Sequence, residues 1–591
     1  MHKFSLSRRI LSWRIKNITG KQFVLILSVF IGVGSGLAAV VIKNLVHFIS
    51  EWVESLTTGG SFNYLIIVFP SIGILITVLF IKYFIKRPIG DGVPNVLYAI
   101  SKNNGIINKH NMFSSVIASA LTVGMGGSVG LEGPTISTGA AIGSNIGRAF
   151  RLNYKHLTLL LGCAAAAAMS AIFKAPIAAI VFAIEVIMLD LTMASILPLL
   201  LASATGLITS YYFMGQDVLY PFEVTELFEL SHLPYYILLG LFTGLVSAYF
   251  TKSYVFIGQK FSKIKNTYNK LLIGGTMLGV LLFIFPTLYG EGYQDINLAL
   301  SGNWDYIFKN DFFSAFHDNI YIIILLLLSV ILLKVIATSI TFGAGGIGGI
   351  IAPTLFMGVN TGLLFSTIIN HLGFHKLPTN NFALIGMAGM IAGVIHAPLT
   401  AIFLIAELSG GYKLFLPLMI TATFSYLIVK LLTKHSVYTL QLAKRKELIT
   451  HNKDKAILTL MNISSLIETN FSTVDVESTL GDLVKIVSES KRNVFPVIDD
   501  ENNMLGIIFI TDIRHIIFKV ELYDETFVRD LMFMPHPIVS PDESMESIAK
   551  KFSETEHYNL PVLKDGKYIG FVSRANVFSA YREKLKEFSE Y

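Results

Sequence analysis

Long apolar runs separated by short polar connections fill the first three-quarters of the chain, and then the pattern changes. Apolar stretches recur near 23–49, 64–85, 112–124, 157–189, 193–213, 235–257, 271–288, 319–338, 346–370, 382–408 and 412–432. A bilayer-crossing helix needs about 20 apolar residues. Several runs are shorter than that or interrupted by glycine, and others hold a helix and a half. This irregularity predicts broken or re-entrant helices, which survive in a membrane only where protein buries them or a polar cavity adjoins them. Beyond residue 432 charges become dense, and short β-rich runs alternate with amphipathic segments in the order strand, helix, strand, strand, helix, given twice. The expected fold is a multi-spanning α-helical membrane domain followed by a water-soluble α/β pair. The expected boundaries are a basic segment at 1–22, the membrane domain at 23–446, a linker at 447–455, and the tail at 456–591, with repeats at about 456–520 and 526–586.

Composition sharpens this division. Of 591 residues, 53% are hydrophobic and 15% charged, against roughly 25% charged in soluble proteins. Residues 1–22 carry Lys3, Arg8, Arg9, Arg14, Lys16 and Lys21 and no acid. No cleavage pattern follows the apolar run after them, so they read as the cytoplasmic flank of a first span rather than a removed signal. Basic loops at 82–111, 148–155 and 252–270 are expected inside, and acidic loops at 214–232 and 289–318 outside. Lys444, Arg445 and Lys446 put the C-terminal domain inside as well. The net charge of +6 comes with no nucleic-acid motif, and the basic residues sit beside apolar runs, where they suit anionic lipid headgroups. Cys163, the one cysteine, reads as a small packed residue. No metal-ligand cluster or catalytic motif of an intramembrane protease is present, so no enzyme activity is expected.

Internal repetition is the most informative pattern. Ala175-Pro176-Ile177-Ala178-Ala179-Ile180 runs on to Glu185, and Ala397-Pro398-Leu399-Thr400-Ala401-Ile402 runs on to Glu407, with both prolines and both acids 222 positions apart. Gly126-Gly127 to Pro134 matches Gly345-Gly346 to Pro353 at an offset of 219. Two homologous membrane halves follow, with a site expected near the midplane where broken helices from both halves meet. In the tail, Phe495-Pro496-Val497 recurs as Leu560-Pro561-Val562, and Gly506-Ile507-Ile508 as Gly570-Phe571-Val572.

The glycine-proline motifs carry the chemistry. In Gly130-Leu131-Glu132-Gly133-Pro134, glycine lets backbone amides approach an ion, and proline starts a helix whose N-terminus is partly positive. The result is an anion cradle built from backbone. Glu132 is itself anionic, so it can occupy such a site when charged and leave it when protonated, as a gate and proton acceptor. Gly349-Ile350-Ile351-Ala352-Pro353 is the second-half counterpart, offering the amides of Ile350 and Ile351 without a charged side chain. Helix packing by glycine is the blander explanation of both. Gly90-Asp91-Gly92-Val93-Pro94 is a third such turn, where Asp91 alone would pass as a helix cap. Tyr438 suits the interfacial aromatic belt or, alternatively, hydrogen bonding to an anion.

Taken together, the four ordered motifs and the tail resemble the CLC family of chloride channels and proton-coupled exchangers, followed by two CBS motifs, over about residues 23–586. The resemblance implies a homodimer with one anion pathway per subunit, formed by inverted halves. It places Glu132 on the gating glutamate, Ile350 and Ile351 on amide donors, Tyr438 on the central tyrosine, and Glu185 and Glu407 on acids after the Ala-Pro helices. For these two acids a structural or interface role is favoured, through bonds to backbone. Two positions depart from the family pattern. Asp91 stands where serine is common, and an ionised carboxylate there would repel chloride unless turned away, paired or protonated. Val186 stands where many exchangers carry a second glutamate on the internal proton route, which leans the sequence toward a passive or weakly coupled pathway. CBS pairs often bind adenine nucleotides. Asp512 and Ser573 are the positions that retain half of the usual ribose contact in each repeat. The competing transport class, a CBS-containing divalent-cation transporter, would need several acids converging in the membrane, and the positive helix ends disfavour it.

Overall fold

The computed structural model describes residues 17–57, 65–90, 92–187, 193–217, 228–310, 313, 316–317, 319–444, 458, 461–534, 537–555 and 557–589. Asp91, most of the N-terminal basic segment and the expected linker lie outside them. The chain divides into two compact units, Met1–Leu448 and Ile449–Tyr591.

The first unit is helical throughout. Its helices are α1 (Gly20–Thr57), α2 (Leu65–Leu79), α3 (Val93–Lys102), α4 (Asn111–Gly124), α5 (Glu132–Ala149), α6 (Tyr154–Phe173), α7 (Pro176–Glu185), α8 (Met193–Met214) and α9 (Leu233–Ser262). They continue with α10 (Thr267–Ile284), α11 (Tyr293–Leu300), α12 (Ile320–Ala344), α13 (Ile351–His371), α14 (Thr379–Ile395), α15 (Pro398–Leu408), α16 (Phe415–Leu432) and α17 (Val437–Lys444). Among the described residues, nine helices are long and apolar enough to cross a membrane, and α4, α7, α14 and α15 are shorter apolar helices. The protein is a multi-pass membrane protein. At 1.5 Å per residue α1 extends about 57 Å, well beyond the roughly 30 Å of bilayer hydrocarbon, so it must tilt or project. Leu272, Val280, Leu325 and Leu431 are all more than half exposed, as suits side chains that face lipid. Inside, α5, α13 and α14 are buried on nearly every face. Glycines there allow close helix contact. A Cβ on Gly362 would lie 2.0 Å from the Phe382 carbonyl oxygen.

The 222-residue repeat survives at the level of backbone torsions. Lys174 ends α6 at φ 57°, ψ 33°, and His396 ends α14 at φ 61°, ψ 39°. Both are left-handed without being glycine. The next residues, Ala175 and Ala397, have φ/ψ of −126°/81° and −134°/76°. Each half thus turns the same sharp corner into a proline-started helix. Proline has no N–H, and the amides after it have no partner within the helix. The partner comes from the opposite half. Glu407, near the end of α15, accepts from the Ile177 amide (3.1 Å) and the Ala178 amide (2.8 Å) of α7. Glu185, at the end of α7, accepts from the Leu399 amide (3.2 Å), the Thr400 amide (2.7 Å) and the Thr400 hydroxyl (2.7 Å) of α15. Each carboxylate caps the other helix, where the positive helix end favours it. Val186, directly after Glu185, is buried and donates its amide to the Phe182 carbonyl.

The second unit holds two three-stranded sheets. Strands β2 (Val474–Asp475), β3 (Val494–Ile498) and β4 (Met504–Phe509) form one, with β2 parallel to β3 and β3 antiparallel to β4. The other has the order β1 (Ile467–Glu468), β6 (Lys567–Ser573), β5 (Asn559–Lys564), all antiparallel. The earliest strand of the tail therefore closes the later repeat's sheet, a crossover that the repeat boundaries alone do not disclose. Phe471, Met504, Ile507, Tyr568 and Phe571 form a core shared by the two repeats. Helix α18 (Leu480–Glu489) starts with a reciprocal Thr479–Asp482 capping box, whose hydrogen bonds hold the Asp482 carboxyl below the ordinary carboxylate range.

Glu407→Ala strips two amides of their acceptor and should lower the stability of the membrane unit by about 1–3 kcal/mol, with Glu407→Gln in between. Thermal melting in detergent checks this, and an unchanged melting temperature for the alanine variant would contradict the capping role.

Candidate functional site

Four helix starts converge on one small cavity. Gly92, Val93 and Pro94 come from the start of α3, Gly133 from α5, Gly348, Gly349 and Ile350 from the turn into α13, and Val437 and Tyr438 from α17. Tyr254 of α9 and Phe342 of α12 complete the wall. The cavity is about 20 Å³, enough for one water-sized body. Among the described residues, none on the wall carries a formal charge. The first-turn amides of a helix have no intrahelical acceptor, and the macrodipole makes that end partly positive. Four such ends around one void would suit an anion, with no fixed cation among the described wall residues.

The two halves meet through backbone. Gly130 and Gly349 exchange a pair of hydrogen bonds, Gly130 N to Gly349 O at 2.8 Å and Gly349 N to Gly130 O at 2.6 Å. Close approach demands glycine here, since a Cβ on Gly349 would sit 2.7 Å from the Gly133 nitrogen. Gly92 needs to be glycine for a second reason, its φ of +60°.

Glu132 opens α5 and is fully buried beside this bridge. The Tyr293 hydroxyl donates to its Oε1. Among the described residues no donor reaches its Oε2. That oxygen lies against the bridge, because a Cβ on Gly349 would come within 3.0 Å of it. Gly349 therefore touches both the carboxylate and the cavity. Tyr438 is 5% exposed, and its hydroxyl finds no hydrogen-bond partner among the described residues. A buried phenol on a cavity wall with no acceptor is a donor suited to an anion.

Of the residues singled out from the sequence, Gly92, Val93, Pro94, Gly133, Gly349, Ile350 and Tyr438 line the cavity. Gly90, Gly130, Leu131, Pro134, Ile351, Ala352 and Pro353 are not among its wall residues, and Asp91 lies outside the described residues. Tyr254, Phe342 and Tyr293 were not anticipated. They sit in helices, Tyr254 in α9, Phe342 in α12 and Tyr293 at the start of α11, with no local pattern to set them apart. Among the described residues, no group of three or more His, Cys, Asp or Glu could hold a metal ion.

In the tail, Asp512 is exposed and accepts from the Thr511 hydroxyl at 3.3 Å, which leaves a carboxylate able to accept from a ribose hydroxyl. The Ser573 hydroxyl accepts from the Asn576 amide at 3.2 Å, at the start of α19 (Arg574–Ser589), which leaves its proton and a second lone pair for a ligand.

Comparison with known proteins decides the family. The voltage gated chloride channel profile matches residues 72–430. The chain belongs to the CLC family. The CBS domain profile matches residues 463–519 and 528–583, so the tail is a CBS pair. A putative chloride channel protein ClcB-like of Ralstonia nicotianae is 29% identical over 385 residues, covering 64% of this chain and 85% of that protein. The H(+)/Cl(-) exchange transporter ClcA of Vibrio cholerae is 28% identical over 435 residues, covering 70% and 88%. The structure of a slow cyanobacterial Cl-/H+ antiporter superposes with a TM-score of 0.62 at 21% identity, covering 73% of this chain and 99% of that one, a likeness of fold. A CLC membrane unit serves anion transport, and the charge-free wall at four helix starts suits that cargo.

Tyr438→Phe removes the unpartnered hydroxyl and leaves the ring in place. Chloride affinity measured by calorimetry should fall about fivefold, the worth of one ordinary hydrogen bond. Unchanged affinity would remove Tyr438 from the site.

Proposed function

We propose that this protein exchanges chloride for protons across the membrane, with one pathway in each subunit of a homodimer and Glu132 as gate and proton acceptor. The observation that carries this reading is the Glu132 carboxylate packed against Gly349, the residue that also walls the anion cavity. A carboxylate there competes with chloride for the same positive helix ends. Protonation removes its charge and its reason to stay, so anion entry and proton uptake become alternatives at one place. The ClcA relatives named as H(+)/Cl(-) exchange transporters favour exchange over passive conduction. One feature favours a passive channel, namely buried Val186, which cannot carry a proton. In an exchanger, water would have to bridge that stretch.

The homodimer rests on membership of the CLC family, for which that assembly is typical. The basic loops support a cytoplasmic position for both termini. There the CBS pair would act as a clamp or sensor, with Asp512 as the candidate contact to an adenine nucleotide.

Chloride efflux from proteoliposomes, recorded together with external pH, tests the function. The expected result is uphill proton uptake driven by the chloride gradient. Efflux without coupled proton movement would establish the passive channel instead. Glu132→Gln should abolish proton movement and preserve chloride flux. Loss of chloride flux with proton flux retained would overturn the gate.

A further inference from the structure

The gate carboxylate is held by a segment of the opposite half. Between α10 and α11, residues 288–293 run alongside the first-half glycine motif and bind it at four points. The Ser128 hydroxyl donates to the Leu288 carbonyl at 2.6 Å, and the Gly290 amide donates to the Gly126 carbonyl at 3.1 Å. The Leu131 amide donates to Glu291 Oε1 at 3.2 Å, and the Tyr293 hydroxyl donates to Glu132 Oε1. Gly290 and Gly292 take left-handed φ values of +60° and +85°. These turns let alternate side chains, Glu291 and Tyr293, meet consecutive residues of the motif.

The segment is anchored from behind. Lys334 of α12 is fully buried, and its ammonium donates to the Leu288 and Gly290 carbonyls, each at 3.1 Å. That ammonium also lies 4.9 Å from the centre of the Phe356 ring. A cation so enclosed cannot move without giving up both carbonyls. The segment it grips is therefore a firm frame for the Glu132 side chain that it holds.

We infer that Tyr293 is a latch on the gate: its hydroxyl retains the Glu132 carboxylate against the Gly130–Gly349 bridge, and the pathway opens when that hydrogen bond breaks. The inference rests on the reading of Glu132 as gate. A hydroxyl donating to an ionised carboxylate is among the stronger hydrogen bonds. Here Glu132 is fully buried, so solvent does not readily replace a lost donor. Protonation of Glu132 weakens its acceptor and so loosens the latch. Tyr293 acts through Glu132 and not on the anion, since it is absent from the cavity wall. It is a positioning residue.

Tyr293→Phe keeps the ring and removes the donor. Chloride efflux from proteoliposomes and chloride affinity by calorimetry should both rise, by about ten- to a hundredfold, the factor lost with one charge-assisted bond. In the Glu132→Gln background the same change should have little effect, because no carboxylate remains to hold. An absent gain in the parent protein, or an equal gain in both backgrounds, would overturn the latch. Glu132→Gln measured alone separates the two ideas. If it leaves proton coupling intact, the gate reading itself has failed. If it uncouples protons while Tyr293→Phe does nothing, only the latch has failed.

Discussion

Two backbone hydrogen bonds between Gly130 and Gly349 are the constraint on which the membrane unit's arrangement turns. They join the halves at the one level where both chains have just left a glycine turn and are about to start a helix. Once the bridge is made, α5 and α13 must begin side by side with their positive ends toward the same void. The bridge uses one amide from each half and leaves the following first-turn amides to other partners. A side chain on either glycine would separate the strands. Gly348 and Gly133 are confined for the same reason, each with backbone of the opposite half within 3.4 Å of where a Cβ would stand.

Repetition makes this meeting possible, and a break in repetition makes it useful. The halves agree in the unusual left-handed corners at Lys174 and His396 and in the exchange of caps between Glu185 and Glu407. At the 219-residue offset, however, Glu132 corresponds to Ile351. A symmetric pair of carboxylates would put two like charges at one anion cavity, whereas isoleucine in both halves would leave it ungated. Under the proposed function, one acid gives the cavity a competitor for the anion and a direction. The holding residues are asymmetric as well, because the 288–293 segment and Lys334 belong to the second half yet serve the first-half motif.

The described wall residues carry no fixed charge, and that has a functional sense under the proposed reading. A lysine at the cavity would bind chloride tightly and release it slowly. Dipole ends and the Tyr438 hydroxyl would supply attraction spread over several weak donors, so that an ion could enter with partial desolvation and still leave. The same weakness lets a carboxylate compete on nearly equal terms.

The sequence by itself determined the division into membrane and soluble units, the two-fold repeat of each, and the motifs that face the cavity. These are local facts: apolar run length, glycine beside proline, and recurrence at a fixed offset. It also singled out Glu132, because an acid inside a glycine cradle is conspicuous in an apolar chain. Only the tertiary structure decided which helix each terminal glutamate caps, since Glu185 and Thr400 are 215 residues apart. The same holds for the crossover of β1 to β6, the closure of the wall by Tyr254 and Phe342, and the grip of Tyr293 on Glu132. These contacts join positions whose local sequence is unremarkable. Their partners are set by how the two halves pack, and no short pattern encodes that packing.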